Sequence, residues 1–132
     1  MRLTMLKGKI HRATVTQAEI DYIGSITLDA SLARAAHIRE YERVLVADAD
    51  NGERLETYVI YGEENSGMVC LNGAAAYNIC PGHKVIIMAF AEMDVEEVAD
   101  QNNAPYVVFV DEKNAITSLK RYEKHGRLED LK

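Results

Sequence analysis

Two runs rich in β-branched and aromatic residues, Arg43–Ala49 and Glu53–Tyr61, flank the tripeptide Asp50-Asn51-Gly52. Asn-Gly supplies the positive φ angles of a tight turn, so this stretch predicts a β-hairpin. The same grammar recurs along the chain. Leu3–Thr16 reads as a long strand that bends at Gly8, Ala18–Tyr22 as one helical turn, and Ser25–Leu28 as a strand. Asp29 or Ser31 caps a short helix running to Ala36. Met68–Leu71 is a further strand, and Gly73–Ile79 a short helix stopped by Pro81-Gly82. His83–Phe90 is a continuous apolar run that predicts a strand buried on both faces. Glu92–Asp100 forms a weak acidic helix, and Tyr106–Asp111 and Ala115–Leu119 pair around Glu112-Lys113-Asn114. Many short strands joined by turns and single helical turns predict a mainly β fold, a small closed barrel.

The chain is one domain, 1–132, with 48% apolar residues, enough for a core. Its tail from Lys120 to Lys132 is charged, has only Leu128 and Leu131 as apolar anchors, and is expected to fray. With 15 basic and 21 acidic residues the net charge is −6, which argues against a nucleic-acid surface. No apolar run suits a signal peptide or a membrane span. Cys70 and Cys80 match no CxxC pattern and read as idle thiols of a cytoplasmic protein, and no ligand spacing suggests a metal.

The chemistry-bearing residues begin at Gly24-Ser25, where a residue without Cβ leaves its carbonyl open beside a hydroxyl nucleophile. Lys9 and His11 lie two apart on one strand face, about 7 Å from each other. Arg54 and Tyr58 share a face of the second hairpin strand, while Thr57 points to the other side. Arg54 offers a planar fork for a carboxylate, and Tyr58 a phenolic proton. Asn72-Gly73-Ala74-Ala75-Ala76 reads as a cap followed by small residues, whose backbone N–H groups can face an anion. Tyr22 sits two residues before Gly24, as a packing residue or as part of a pocket wall.

In order and spacing, Lys9, His11, Tyr22, Gly24-Ser25, Arg54, Thr57-Tyr58 and Asn72 to Ala76 together resemble the pyruvoyl-dependent aspartate decarboxylase family. The resemblance runs from Thr4 to about Phe90 and thins beyond Ala91. It implies a six-stranded double-psi β-barrel with short helices. It also implies self-cleavage between Gly24 and Ser25 into chains 1–24 and 25–132, with Thr57 aiding the cut and Ser25 converted to a pyruvoyl cofactor. The pyruvoyl would take L-aspartate as a Schiff base and release carbon dioxide and β-alanine for pantothenate and coenzyme A synthesis. In that reading Tyr58 is the acid. Lys9, His11, Arg54, Thr57, Asn72, Gly73, Ala74 and Ala75 bind substrate. The family further implies a homotetramer with active sites between subunits, and in some relatives an accessory protein for maturation. Two alternatives stay open on residues alone: a non-catalytic anion-binding or structural barrel in which Gly24-Ser25 is a turn, and a pyruvoyl enzyme acting on another acidic amino acid such as glutamate.

Overall fold

Nine strands, two short α-helices and one 3₁₀ turn follow one another in the computed structural model, which describes residues 1–99, 103–121 and 125–126. In chain order these are β1 (Arg2–Thr14), β2 (Gln17–Glu19), β3 (Ser25–Asp29), α1 (Ala30–Ala35), β4 (Arg43–Asp48), β5 (Arg54–Gly62) and β6 (Val69–Asn72). The 3₁₀ turn Gly73–Ala76 follows, then β7 (Lys84–Asp94), α2 (Val95–Ala99), β8 (Tyr106–Val110) and β9 (Ile116–Lys120).

Pairing runs β1–β7–β4–β5 through antiparallel ladders, passes to β3 in parallel, to β6 antiparallel, and to β2 in parallel. β2 takes up where β1 stops: Val15 N–H donates to the His83 carbonyl (2.9 Å) and Thr16 N–H to that of Val69 (2.8 Å), so the same stretch hands over from the β7 side to β6. The path of ladders therefore returns to the chain segment it left, and the fold is mainly β and barrel-like. β8 adds to the other edge of β1 in parallel, and β9 pairs with β8. Ile10, Ile26, Leu28, Val46, Leu71 and Ile87 are among the fully buried side chains at the centre.

Gly8 does more than bend β1. A Cβ there would come within 1.9 Å of the Ala36 carbonyl oxygen, so the end of α1 passes directly over the strand only because no side chain intervenes. The β1–β7 register shifts between Leu6 and Gly8 and again between Ile10 and Ala13, where Arg12 takes φ 58°. Asp29, not Ser31, caps α1: its carboxylate accepts from Ser31 N–H (2.8 Å) and hydroxyl (2.6 Å).

Several expectations need correction. Ala18–Tyr22 is not a helical turn at its start: Gln17–Glu19 pairs with Cys70–Asn72, and a long-range ladder overrides local preference. A reverse turn follows, with Tyr22 N–H on the Glu19 carbonyl. The Asn51-Gly52 hairpin forms, but only Gly52 has positive φ (79°). Its loop is longer than two residues because the Asp48 carboxylate gathers the N–H groups of Asp50 and Asn51, and Gly52 N–H reaches the Asp48 carbonyl. The predicted helix Gly73–Ile79 shortens to a 3₁₀ turn of four residues. β7 is fully buried only at alternate residues, Val85, Ile87 and Ala89, and leaves Phe90 exposed. It also runs through Asp94, because Arg2 pairs with Asp94 and bonds its carboxylate (3.2 Å). The acidic helix is thereby reduced to Val95–Ala99, and its expected end, Asp100, lies outside the described residues. Lys120 ends β9 and Arg121 lies 3.8 Å over the Tyr106 ring, whereas Leu128 and Leu131 of the tail fall outside the described residues.

Candidate active site

β3 begins at Ser25 because the chain changes there from an exposed loop to a paired strand. Tyr22, Ile23 and Gly24 are exposed, and Ser25 is 1% exposed. Across the antiparallel ladder Ser25 faces Asn72, and Thr27 faces Cys70. With a period of two, all four side chains stand on one side of the β3–β6 pair. They form a closed polar group. Asn72 Nδ2 donates to Ser25 Oγ at 3.0 Å and to Thr27 Oγ1 at 2.9 Å, and Cys70 Sγ donates to Asn72 Oδ1 at 3.1 Å. Ser25 Oγ in turn donates to the Ile23 carbonyl at 3.3 Å.

Asn72 was read as a helix cap, but its side chain makes no capping bond to the 3₁₀ turn. Its amide is spent on the two hydroxyls instead. Gly73 has φ +66°, and a Cβ on it would lie 2.7 Å from Gly24 Cα, 2.8 Å from Gly24 N and 2.9 Å from the Tyr22 carbonyl oxygen. The missing Cβ is thus the seat on which the Tyr22–Gly24 backbone rests. Ala74 is exposed and Ala75 half-buried beside it.

β5 approaches from the other edge of β3. Their parallel register starts at Ile26 opposite Val59; Tyr58 and Thr57 precede that first pair on β5 by one and two residues, as Ser25 and Gly24 do on the β3 side. Tyr58 and Thr57 are half-buried. Arg54 lies four residues up β5 from Tyr58, about 13 Å by strand rise, exposed and opposite Ala47. Lys9 and His11 are on β1, against Met88 of β7 and against Val107 and Phe109 of β8. The His11 ring meets the Phe109 ring edge-on at 5.7 Å. β1 pairs with neither β3 nor β5. The structure thus brings together Gly24, Ser25, Asn72 and Gly73, flanks them with Thr57 and Tyr58, and sets Lys9, His11 and Arg54 on other parts of the ladder.

Two members of the group, Thr27 and Cys70, were not anticipated. The period-two rule was the signal: each lies two residues from a residue already singled out, on the same strand. Cys70 is buried and Cys80 exposed, both as free thiols. Burial pushes the Cys70 thiol up from its ordinary pKa, and Glu19 adds to the rise. Away from this region the fold also gathers Asp48, Asp50 and His83, with ligand-type atoms within 4.8 Å of one another. Those carboxylates are engaged in the hairpin, on His83 Nδ1 (2.6 Å) and on the Asp50, Asn51 and Lys84 N–H groups. No helix among the described residues is long and apolar enough to cross a membrane.

The described residues thus make a small β-rich protein with a buried serine at a strand start, an amide donor on its hydroxyl and an exposed glycine before it. A family model for aspartate decarboxylase matches residues 1–117. The chain is 56% identical to the aspartate 1-decarboxylase of Clostridium kluyveri over 128 residues, covering 97% of this chain and 99% of that one. The same-named proteins of Ruminiclostridium cellulolyticum and Lactiplantibacillus plantarum are 58% and 56% identical, covering 97% of this chain and 98% and 97% of theirs. The chain belongs to the aspartate decarboxylase family.

Proposed function

We propose that the chain cuts its own Gly24–Ser25 bond and then decarboxylates L-aspartate to β-alanine and carbon dioxide, with β-alanine serving pantothenate and coenzyme A synthesis. Family membership and relatives named aspartate 1-decarboxylase at 56–58% identity support the reaction. The observation that carries the self-processing is the Asn72 amide on Ser25 Oγ, next to a Gly24 backbone that rests against Gly73.

Cleavage is written on the chain's own atoms. Ser25 Oγ attacks the Gly24 carbonyl carbon, a C–O bond forms, the C–N bond breaks, and the hydroxyl proton ends on the released Ser25 amine. Loss of the Ser25 Cα proton then breaks the Cβ–Oγ bond, leaving Gly24 as a carboxylic acid and residue 25 as an enamine. Water replaces nitrogen, which departs as ammonia, and the products are chains 1–24 and 25–132. A serine hydroxyl is a weak nucleophile, so donors to the developing charge matter. Asn72 Nδ2 serves Oγ, and Thr57 is assigned as the donor to the Gly24 carbonyl oxygen. In the intact chain Thr57 does not make that bond, and it would form as the carbonyl turns tetrahedral.

Position 25 is buried beside the Asn72 amide, whose N–H group suits the carbonyl oxygen of a small group formed from Ser25. A pyruvoyl there supplies an electrophilic carbonyl for the substrate amine and a sink for the electrons freed with carbon dioxide. Tyr58 holds the proton returned to the substrate carbon. Lys9 and Arg54, with His11 assisting, hold the two carboxylates by charge-assisted hydrogen bonds. Asn72 orients the reacting end, and Gly73, Ala74 and Ala75 leave room for substrate. Because Lys9 and His11 lie on β1, which pairs with neither β3 nor β5, we assign the complete site to a boundary between subunits of a homotetramer. The finer fold is a six-stranded double-psi barrel, β1 and β2 counting as one interrupted strand. Its location is cytoplasmic.

Denaturing intact-mass analysis of purified protein, with carbon dioxide release from aspartate, tests this. Expected are a fragment ending at Gly24 and a larger one lighter by one ammonia than a serine-started chain, with release that tracks the cleaved fraction. An intact chain with a free serine after prolonged warming would sink the reading.

A further inference from the structure

The Asn72 carboxamide can serve Ser25 in two opposite ways, and the residues around it choose between them. With Nδ2 toward β3 it donates to Ser25 Oγ (3.0 Å) and Thr27 Oγ1 (2.9 Å); turned over, it would present Oδ1, an acceptor, to both hydroxyls. As Ser25 gives up its proton to attack, negative charge builds on Oγ. A donor stabilises that charge, and an acceptor opposes it.

The choice rests with the thiol behind the amide, and the hydroxyl of Thr27 beside it ties the chosen orientation to β3. Cys70 is 3% exposed, and its Sγ lies 3.1 Å from Asn72 Oδ1, whereas its other carbonyl neighbour, Leu71, is at 4.0 Å. Burial and Glu19 keep the thiol protonated, hence a donor. A donor behind the amide selects the orientation with Oδ1 toward Cys70. Thr27 takes the second Nδ2 hydrogen, so both amide hydrogens are used. We propose that Cys70 and Thr27 are positioning residues for self-processing: they lock the Asn72 amide with its donor end on Ser25 Oγ. The proposal rests on the reading of Ser25 as the processing nucleophile.

The test follows the appearance of fragment 1–24 with time after cell-free synthesis of the full chain. Cys70→Ala is expected to slow cleavage by about tenfold, as the loss of an oriented donor to a developing charge implies. Cys70→Ser, which restores a donor to Oδ1, should return the rate to within about threefold of wild type. Thr27→Val, nearly isosteric at a half-buried position, should slow cleavage without loss of the folded state. In an Asn72→Ala background, Cys70→Ala should add nothing, because its effect passes through the amide. Melting temperature is measured alongside. Cys70→Ala and Thr27→Val chains that cleave at the wild-type rate would overturn the proposal and leave the processing reading intact. So would additive losses in the Asn72→Ala background, or a Cys70→Ser chain as slow as Cys70→Ala. A wild-type chain that stays whole would remove the processing reading itself, and the positioning role with it.

Discussion

Gly73 has little freedom to vary. At φ +66° any side chain is strained, and a Cβ would strike backbone atoms of Tyr22 and Gly24 instead of a movable side-chain end. Gly73→Ala should therefore displace the Gly24 carbonyl from Ser25 Oγ and slow fragment formation by at least about tenfold, since misplacement of reacting atoms is felt steeply. Time-resolved denaturing gels measure it, and wild-type cleavage would remove Gly73 from the site. Thr57 and Tyr58 are neighbours with opposite expected effects. Thr57→Val should delay cleavage, whereas Tyr58→Phe should leave cleavage largely intact and depress turnover per cleaved chain, for it removes a proton and little volume. Cleavage kinetics and carbon dioxide release on the same samples separate the two, and equal failure at cleavage would refute the division of labour.

At the scale of elements, the start of α1 and the loop before β6 are tied by one carboxylate. Asp29, 2% exposed, accepts from the Ser31 N–H and hydroxyl and from the N–H groups of Asn65 (3.0 Å) and Gly67 (2.9 Å). Burial pushes its pKa up, but the bonds from Ser31, Gly67 and Asn65 outweigh this and leave it below the ordinary carboxylate value. A depressed folded-state pKa adds stability above the unfolded value that is lost as pH falls through the folded one. Asp29→Asn removes the charge and turns a donor toward an N–H, for an expected loss of about 2–3 kcal/mol at neutral pH. The gap between wild type and variant should close as pH drops below about 4. Thermal melts across the acid range check both, and a gap that widens in acid would contradict the assignment.

For the whole molecule, Lys9 and His11 stand on β1, which shares no ladder with the Ser25 strand, and the proposed site joins them to Ser25 across a subunit boundary. Tyr22 and Ile23, 59% and 81% exposed, flank Gly24 on the open side of the site. If adjacent subunits complete one another, Ser25→Ala and Lys9→Ala chains, each inactive alone, should regain carbon dioxide release when co-expressed, because some mixed sites then join an intact Ser25 to an intact Lys9. No recovery, with mixed oligomers verified by mass, would confine the site to one chain.

Strands at Ser25–Asp29, Arg54–Gly62 and Tyr106–Val110, the cap at Asp29 and the singular Gly24-Ser25 pair were legible because their causes are local: β-branched runs, side chains that bond their own backbone, and a glycine before a hydroxyl. Gln17–Glu19, by contrast, is a strand only because β6 offers it a ladder, and β7 continues through Asp94 only because Arg2 is there to pair with. Asn72 has the composition of a cap, yet its amide faces Cys70 on its own strand and Ser25 and Thr27, which a register across 47 and 45 positions brings within 3.0 Å. Gly73 reads as a flexible residue until the Gly24 backbone is found against it. Local chemistry is written in consecutive residues, so the sequence by itself determined the locally caused elements and singled out the Gly24–Ser25 bond. Which side chains reach that bond depends on long-range pairing, and only the tertiary structure decided it.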